Sequence, residues 1–261
     1  MMPKKRLLVL SDMHSGHQVG LTHPGDNPQY DDADRQVVAD YRNYLYSWFE
    51  KKVQSLGKID IVVHNGDAID GKGEKSGGTE QIEMDRNLQA KMAANVLSRI
   101  KTNEIRLVYG TGYHTGSLED FEDVVANVLG CPKPSGTLDL EVNGKIFNFK
   151  HKVGGSQIPH GRATAQLRDK LWTQLWATRG EYPDCDVQIR SHNHYFGYGG
   201  DANFLWIATP ALQGYGWNKY GTRIMSGTVD YGFVHFDITD KGDVSWAPHI
   251  LRMPYQEPEK L

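Results

Sequence analysis

The feature of this 261-residue chain that most constrains its fold is a set of apolar runs that end in carboxylate or imidazole side chains. The run Leu7–Leu10 is followed by Asp12 and His14, and the stretch "KIDIVVHNGD" ends at Asp67. Short apolar runs bounded by polar turns are typical of buried strands. Ligand sites in open α/β sheets lie at the carboxyl ends of the strands, so the pattern predicts an α/β fold with a site at that edge.

Helices and turns are predicted between these strands. Helices are predicted over 33–56, about 79–101 and about 161–179. Ser117 is predicted to open a further helix, which Gly130 closes. Asn143 and Gly144 stand between two alternating segments, which is a strong hairpin signal. The last part of the chain is mostly strands, and the whole predicts two packed mixed sheets with helices outside.

Composition narrows the class of protein. No Pro/Gly/Ser-rich linker or repeat divides residues 1–261, so we predict one domain. The formal net charge of -3 argues against a basic nucleic-acid coat and leaves a local basic patch open. No apolar run is long enough to be a signal peptide or a span, so no membrane partner is expected. Cys131 and Cys185 have no motif spacing and are predicted to be free thiols in a reducing cytoplasm, with one disulfide as the alternative.

The side chains at the strand ends have the composition of a transition-metal site. Residues two apart on an extended chain point the same way, so Asp12 can converge with His14, and His192 with His194. Each short motif is common by chance, but five such strand ends in one chain are not. Imidazole with carboxylate suits Mn, Fe, Zn, Ni or Co, and the number of ligands predicts two metal ions. The candidate residues are Asp12, His14, Asp67, Asp70, His114, His151, His192 and His194.

The order of these motifs resembles the calcineurin-like metallophosphoesterase family. The matching segments are Asp-x-His at Asp12, Gly-Asp-x-x-Asp at Asp67, Gly-x-His at His114, a single His151 and His-x-His at His192. The resemblance covers most of the chain, and the variants "GTGYHTG" and "RSHNHYFG" are most similar to members carried by bacteriophages and prophages. It implies a four-layer αββα sandwich, in which two mixed sheets flanked by helices hold a two-metal centre.

The same resemblance implies roles for the candidate residues. Asp67 would bridge two divalent ions, with Mn²⁺ preferred and Fe, Zn, Ni, Co or Mg as alternatives. Asp12, His14 and His194 would hold the first ion together with Asp67, and His151 and His192 would hold the second. The implied reaction is attack on phosphorus by hydroxide held at the metals. His114 would protonate the leaving group, and Asp70 would orient that histidine.

One position departs from the family pattern. The chain has Tyr113 where the family has an Asn that supplies an oxygen to the second metal. A phenol, with an ordinary pKa of about 10, is a poor replacement, so we expect Tyr113 to face substrate instead of serving as an ordinary ligand. Water, Thr111 or Asn65 are the candidates for the missing ligand. The second ion is therefore expected to bind more weakly than the first. Ser191, where the family has Gly, is expected to cost little.

Two further segments are candidates for contact with substrate. "HKVGGSQIPHGRA" offers glycine amides and Arg162 at a helix start, a combination that can hold phosphate. An ordinary surface loop is the alternative reading. "LQGYGWNKYG" carries Tyr215 and Trp217, which could stack on bases. The alternative there is aromatic packing at the sandwich edge or in a subunit contact.

The leading functional prediction is a phosphodiesterase that hydrolyses nucleic-acid or nucleotide diesters. Two alternatives stay open. One is a phosphomonoesterase acting on nucleotides or phosphoproteins. The other is a metal-binding module that has lost catalysis and serves as a structural or interaction protein of a phage. The expected location is the cytoplasm, that of the host if a phage encodes the chain, and self-association is left open.

Overall fold

The computed structural model describes residues 4–115, 119–156, 158–215 and 228–252, which contain ten strands and five α-helices. The strands are β1 Lys5–Leu10, β2 Ile61–Asn65, β3 Glu104–Val108, β4 Leu138–Val142, β5 Lys145–Lys150, β6 Val187–Arg190, β7 Gly197–Gly200, β8 Leu205–Ala208, β9 Tyr231–Ile238 and β10 Val244–Leu251. The helices are α1 Ala33–Ser55, α2 Arg86–Ser98, α3 Gly112–Thr115, α4 Phe121–Leu129 and α5 Arg162–Thr178.

The strands form two five-stranded sheets, and each sheet is mixed. The first has the order β10-β9-β1-β2-β3, with β1, β2 and β3 parallel and the other two strands antiparallel. The second has the order β4-β5-β6-β8-β7, with β5, β6 and β8 parallel between antiparallel edge strands. The carboxyl ends of three parallel strands in each sheet are therefore available to build a site.

Three hydrophobic clusters define the layers. Val9 and Val63 of the first sheet pack against Phe147 and Ile189 of the second, which places one core between the sheets. A larger core joins the outer face of the first sheet to α1, α2 and α4. A small cluster lies on the outer face of the second sheet, where α5 contributes Ala163. The predicted four-layer αββα sandwich is confirmed.

The observed ends of several elements differ from the predicted ones. Helix α2 begins at Arg86 and not near residue 79, because Asp85 caps it by accepting the Asn87 amide at 2.7 Å. Helix α4 begins at Phe121; Ser117, its predicted start, lies outside the described residues. Strand β7 was not predicted, because its glycine-rich sequence lacks the apolar alternation of a typical strand.

The turn and end signals are confirmed. Asn143 and Gly144 have φ angles of 49° and 79°, as a tight two-residue hairpin between β4 and β5 requires. Gly130 closes α4 with a φ of 65°. Cys131 and Cys185 are free thiols. Among the helices of the described ranges, none combines the length and apolar character needed to cross a bilayer.

Candidate metal centre

The candidate ligands follow the carboxyl ends of parallel strands from both sheets. Asp12 comes two residues after β1 and Asp67 two residues after β2. In the second sheet, His151 directly follows β5 and His192 lies two residues after β6. The two sheets are joined here by hydrogen bonds, because His151 Nδ1 donates to the Asn65 carbonyl at 2.6 Å and the His192 amide donates to Asp12 Oδ2 at 3.2 Å. The fold thus gathers side chains that are far apart in sequence.

Unusual backbone conformation marks the same positions. Five candidate ligands have positive φ angles, namely Asp12 (51°), His14 (45°), Asp67 (54°), His192 (74°) and His194 (56°). Among the other non-glycine residues described, Asn143 of the hairpin turn is the one that shares this conformation. Each such residue costs on the order of 1–3 kcal/mol, and such strain clusters at functional sites. The strained φ angles at these five positions therefore mark a candidate functional site.

Two glycines allow the close approach of the third strand's loop. A Cβ at Gly110 would collide with the carboxylate of Asp67, and a Cβ at Gly71 would collide with the carbonyl of His114. Gly71 also has a φ of 84°, which favours glycine. The glycines on either side of the centre let the short helix α3 bring His114 beside Asp67.

The first group of ligands is Asp12, His14 and His194. Oδ1 of Asp12 lies 3.3 Å from His194 Nε2 and 3.9 Å from His14 Nε2, and the two Nε2 atoms are 3.3 Å apart. This Oδ1 is buried and has no hydrogen-bond partner in the part of the chain that the structure describes. A buried, unpaired carboxylate oxygen facing two imidazole nitrogens is the donor set that a divalent cation would complete.

The second group joins Asp67, His151 and His192 to the same Asp12. His151 Nε2 lies 2.9 Å from Asp67 Oδ2 and 3.8 Å from Asp12 Oδ1, while His192 Nδ1 lies 3.8 Å from Asp67 Oδ2. Asp67 also takes part in a third group with His14 and His114. Both carboxylates therefore lie between the two sets of histidines, where a bridging ligand would be placed.

Backbone groups and a threonine orient these ligands. Asp67 Oδ1 accepts the Thr111 amide at 2.6 Å and the Thr111 hydroxyl at 3.1 Å. His151 Nδ1 donates to the Asn65 carbonyl at 2.6 Å, which leaves Nε2 directed at the centre. A fixed tautomer of this kind is typical of metal-binding histidines. Of the proposed substitutes for the family's Asn, Thr111 contacts a ligand through its side chain, whereas Asn65 contacts His151 through its backbone carbonyl and donates its side-chain amide to Ser191 Oγ at 2.7 Å.

His114 is oriented by Asp70, but through a different atom than expected. Its Nδ1 donates to the backbone carbonyl of Asp70 at 2.7 Å and lies 3.9 Å from the carboxylate, while its Nε2 is 3.7 Å from Asp67 Oδ2. The Asp70 carboxylate instead accepts from His14 Nδ1 at 3.1 Å and from the side-chain amide of Gln81. The acid thus orients a candidate ligand, and its carbonyl orients the candidate proton donor.

Burial and mutual attraction fix the charges of the centre. Burial would raise the pKa of Asp12, but His194 and His151 outweigh it and hold that pKa well below its ordinary value. Burial would lower the pKa of His151, but Asp67 and Asp12 raise it to about 9. Burial lowers the pKa of His14 to about 4, which keeps that ring neutral and able to bind a cation.

Three polar residues beneath or beside the centre were not assigned a role from the sequence. Glu122 of α4 is fully buried, and burial together with Asp67 raises its pKa to about 7. His64 is buried, with no partner for either ring nitrogen among the described residues. Gln81 reaches Asp70 from a loop. Glu122 and Gln81 belong to none of the motifs named above, and His64 precedes the Gly-Asp-x-x-Asp motif without being part of it, so the sequence pattern did not select them.

The candidate substrate residues differ in their position relative to the candidate metal centre. Tyr113 is 39% exposed, and its ring packs edge-on against His114, with centroids 4.9 Å apart. Arg162 lies over the Tyr195 ring at 4.2 Å and donates to Thr228 Oγ1 at 3.1 Å, beside the backbone of the second histidine pair. Tyr215 lies at the surface, where its backbone hydrogen-bonds to a tyrosine of α1. Trp217 lies outside the described residues.

Comparison with known proteins finds likeness only among solved structures. No protein-family model matches the chain, and no curated protein matches it. An archaeal phosphodiesterase is similar with a TM-score of 0.47 and 12% identity over 94% of this chain and 99% of that one. Zinc-complexed Vps29 from Entamoeba histolytica gives 0.39 and 14% over 94% and 98%. A predicted phosphoesterase from Streptococcus pneumoniae gives 0.37 and 13% over 96% and 100%. Similarity at this level concerns overall fold only.

Proposed function

We propose that this chain is a binuclear-metal-dependent phosphodiesterase. The observation that carries the proposal is the pair of buried carboxylates, Asp12 and Asp67, surrounded by five imidazoles at one sheet edge. The unpaired oxygen of Asp12 and the mixed carboxylate and imidazole donors fit two divalent transition-metal ions, for which Mn²⁺ is our first candidate. The first ion would be held by Asp12, His14, Asp67 and His194, and the second by Asp67, His151 and His192.

Ions bound there would lower the pKa of a coordinated water and withdraw charge from a phosphoryl oxygen. The chain's own contribution to the chemistry is proton transfer by His114. Because its Nδ1 is committed to the Asp70 carbonyl, Nε2 is the atom that can exchange a proton with a leaving group. The Asp70 carboxylate has a separate task, since it fixes the ring of His14 for binding.

On grounds of charge, we expect the centre to prefer diesters to monoesters. In the described ranges, no Lys or Arg side chain forms an ion pair with Asp12, Asp67 or Asp70. A phosphate monoester carries close to two negative charges near neutral pH, and a diester carries one. Because these carboxylates have no Lys or Arg partner in the described ranges, the positive charge directly beside them would come from the histidines and from bound ions, and we expect it to suit the single charge of a diester.

We propose nucleic-acid or nucleotide diesters as the substrate class, on the strength of the sequence resemblance to phage-carried members. Tyr113 lies beside the candidate proton donor, so it is the substrate contact that the geometry supports best. Arg162, Tyr215 and Trp217 remain proposed substrate residues on the strength of their sequence segments. We further propose that residues 1–261 act as one metallophosphoesterase domain in the cytoplasm.

The test compares two chromogenic substrates after removal and return of metal. The protein is treated with a chelator, dialysed, and assayed on bis(4-nitrophenyl) phosphate and on 4-nitrophenyl phosphate with and without Mn²⁺. The proposal expects hydrolysis of the diester that requires the metal and exceeds hydrolysis of the monoester. Hydrolysis of the monoester alone would establish a phosphomonoesterase. Metal binding without hydrolysis of either ester would establish the catalytically impaired module.

A further inference from the structure

Helix α5 is turned with its polar side inward. The residues that it buries against the second sheet are Gln166 and Lys170. Its large apolar residues face outward and are each between 46% and 57% exposed. They are Leu167, Leu171, Trp172, Leu175 and Trp176, here called the α5 stripe. This is the reverse of the pattern expected for a helix on the surface of a soluble domain, where the apolar face lies inward.

Specific polar contacts hold the helix in this orientation. Lys170 Nζ donates to Asp184 at 2.6 Å and to the Cys185 carbonyl at 3.0 Å. The guanidinium of Arg190, which is 1% exposed, donates to Asp169 Oδ2. Rotating the helix to bury its leucines would leave a buried guanidinium without its carboxylate, which is strongly destabilising. The outward position of the stripe is therefore built into the fold.

The stripe is continuous and large. Leu167, Leu171 and Leu175 follow one row of four-residue spacing, and Trp172 and Trp176 follow the adjacent row. At about half exposure, five side chains of this size present on the order of 500 Å² of apolar surface. Patches of roughly 300–600 Å² are the largest on typical monomers and are often functional. No other element of the described ranges covers the stripe.

We propose that the α5 stripe is the contact surface of a homodimer, in which a second copy of this chain lies antiparallel across it. Two copies together would bury on the order of 1,000 Å², which is the lower limit for a specific interface. A twofold axis between positions 171 and 172 sets Leu171 against Trp172 of the other copy, and Leu167 against Trp176. The stripe is thus complementary to itself, with each large ring facing a smaller side chain.

This arrangement predicts that two copies of the chain associate with moderate affinity, and that the tryptophans contribute most of the binding free energy. The area is small, but tryptophans at the middle of an interface contribute a large share of binding free energy. The same axis sets Leu175 against Arg168 of the other copy, whose aliphatic stem can cover the leucine while its guanidinium stays in water. Arg179 lies over the Trp176 ring at 5.2 Å, at the end of the stripe. The interface contains none of the candidate metal ligands, so dimer formation and hydrolysis are separate properties of the chain.

The test is sedimentation equilibrium of the full chain over roughly 1–100 μM, a range that brackets a micromolar dissociation constant. Leu171→Lys and Trp172→Lys are compared with two controls on other helices, Leu88→Lys on α2 and Val128→Lys on α4, which replace residues that are 42% and 53% exposed. Circular dichroism verifies folding of every variant. The proposal expects a wild-type monomer–dimer equilibrium that the α5 variants weaken at least tenfold and that the controls leave unchanged.

Two results would overturn the proposal. The first is a wild-type chain that stays monomeric across the whole range, which would mean that another occupant covers the stripe. The second is a dimer whose dissociation constant is the same in the α5 variants and in the wild type, which would place the interface elsewhere. Both readouts are independent of metal and of phosphodiesterase activity, so neither depends on the proposed function.

Discussion

The two halves of the candidate metal centre use their carboxylates differently. In the first half, built around Asp12, one buried oxygen has no hydrogen-bond partner among the described residues. In the second half, built around Asp67, one oxygen accepts two hydrogen bonds from Thr111 and the other faces His151 at 2.9 Å. A cation that enters the first half must separate the His14 and His194 rings, whose Nε2 atoms are 3.3 Å apart. In the second half it must break the 2.9 Å contact of Asp67 with His151, a ring whose positive charge that carboxylate stabilises. The second ion should therefore bind more weakly.

The largest expected effect is that of Asp67→Asn. The substitution removes the negative charge that the two halves share, so we expect both ions to be lost and Mn²⁺-dependent diester hydrolysis to fall by at least about 10³-fold. Metal content by elemental analysis and the rate on bis(4-nitrophenyl) phosphate measure the two effects. Asp240→Asn, at an exposed turn, is the matched control and should change neither. Normal occupancy of both ions in Asp67→Asn would contradict the shared role.

The next-largest expected effect is that of His114→Ala, which distinguishes proton transfer from metal binding. His114→Ala should retain both ions and the fold but lower turnover on the order of 10²–10⁴-fold, because it removes the proton donor and no ligand. Single-turnover rates with saturating Mn²⁺ measure this. Turnover equal to that of the wild type would remove His114 from the mechanism.

A paired substitution tests whether the halves are separable. His194→Ala should weaken the first ion and His192→Ala the second, each by at least about 10–100-fold, the usual cost of losing a residue that merely supports a ligand, because each variant removes one imidazole from a different group. Calorimetric Mn²⁺ titrations of the two variants should therefore lose different binding phases. Loss of the same phase in both would show that the halves act as one site.

Proton release should also distinguish the halves. The pKa of His151 is raised to about 9, so this ring carries a proton at neutral pH that a metal ion must displace, whereas the pKa of His14 is lowered to about 4. Affinity for the second ion should rise with pH up to about 9, and affinity for the first should change little over the same range. Calorimetry in two buffers of different ionisation enthalpy should show about one proton released with the second ion only.

The smallest expected effect is that of Tyr113→Asn. An Asn at this position would offer a carboxamide oxygen to the second ion, so we expect a gain in second-site affinity of a few-fold. A loss of second-site affinity would instead identify the phenol of Tyr113 as a ligand. Tyr44→Asn, on the exposed side of α1, serves as the control for removing a surface tyrosine.

The sequence predicts the set of residues at the centre better than their individual contacts. Strand ends and two-residue spacing are enough to place Asp12 with His14 and His192 with His194 at one edge. These patterns do not predict which imidazole hydrogen-bonds to the Asp70 carboxylate, because both His14 and His114 lie within 4 Å of it. In the structure His114 Nδ1 is bonded to the Asp70 carbonyl at 2.7 Å, and the Gln81 side-chain amide binds the second carboxylate oxygen; both are tertiary contacts that the motif does not encode.

Helix α5 shows that sequence patterns also predict the range of a helix better than its orientation. Its range is predicted correctly within a residue or two, but its spacing of leucines and tryptophans would by itself indicate an inward apolar face. The observed orientation depends on ion pairs of Lys170 and Asp169 with partners 14 and 21 residues further along the chain. Such pairings are set by tertiary packing, and no local pattern reports them.

The most direct test of the account is one Mn²⁺ titration of the wild-type chain followed by calorimetry and by bis(4-nitrophenyl) phosphate hydrolysis in the same samples. We expect two ions per chain, the second bound at least about tenfold more weakly, and hydrolysis that rises as the second ion binds. Two ions of equal affinity would contradict the difference between the halves. Absence of Mn²⁺ binding, or full hydrolysis in chelator, would contradict the metal centre itself.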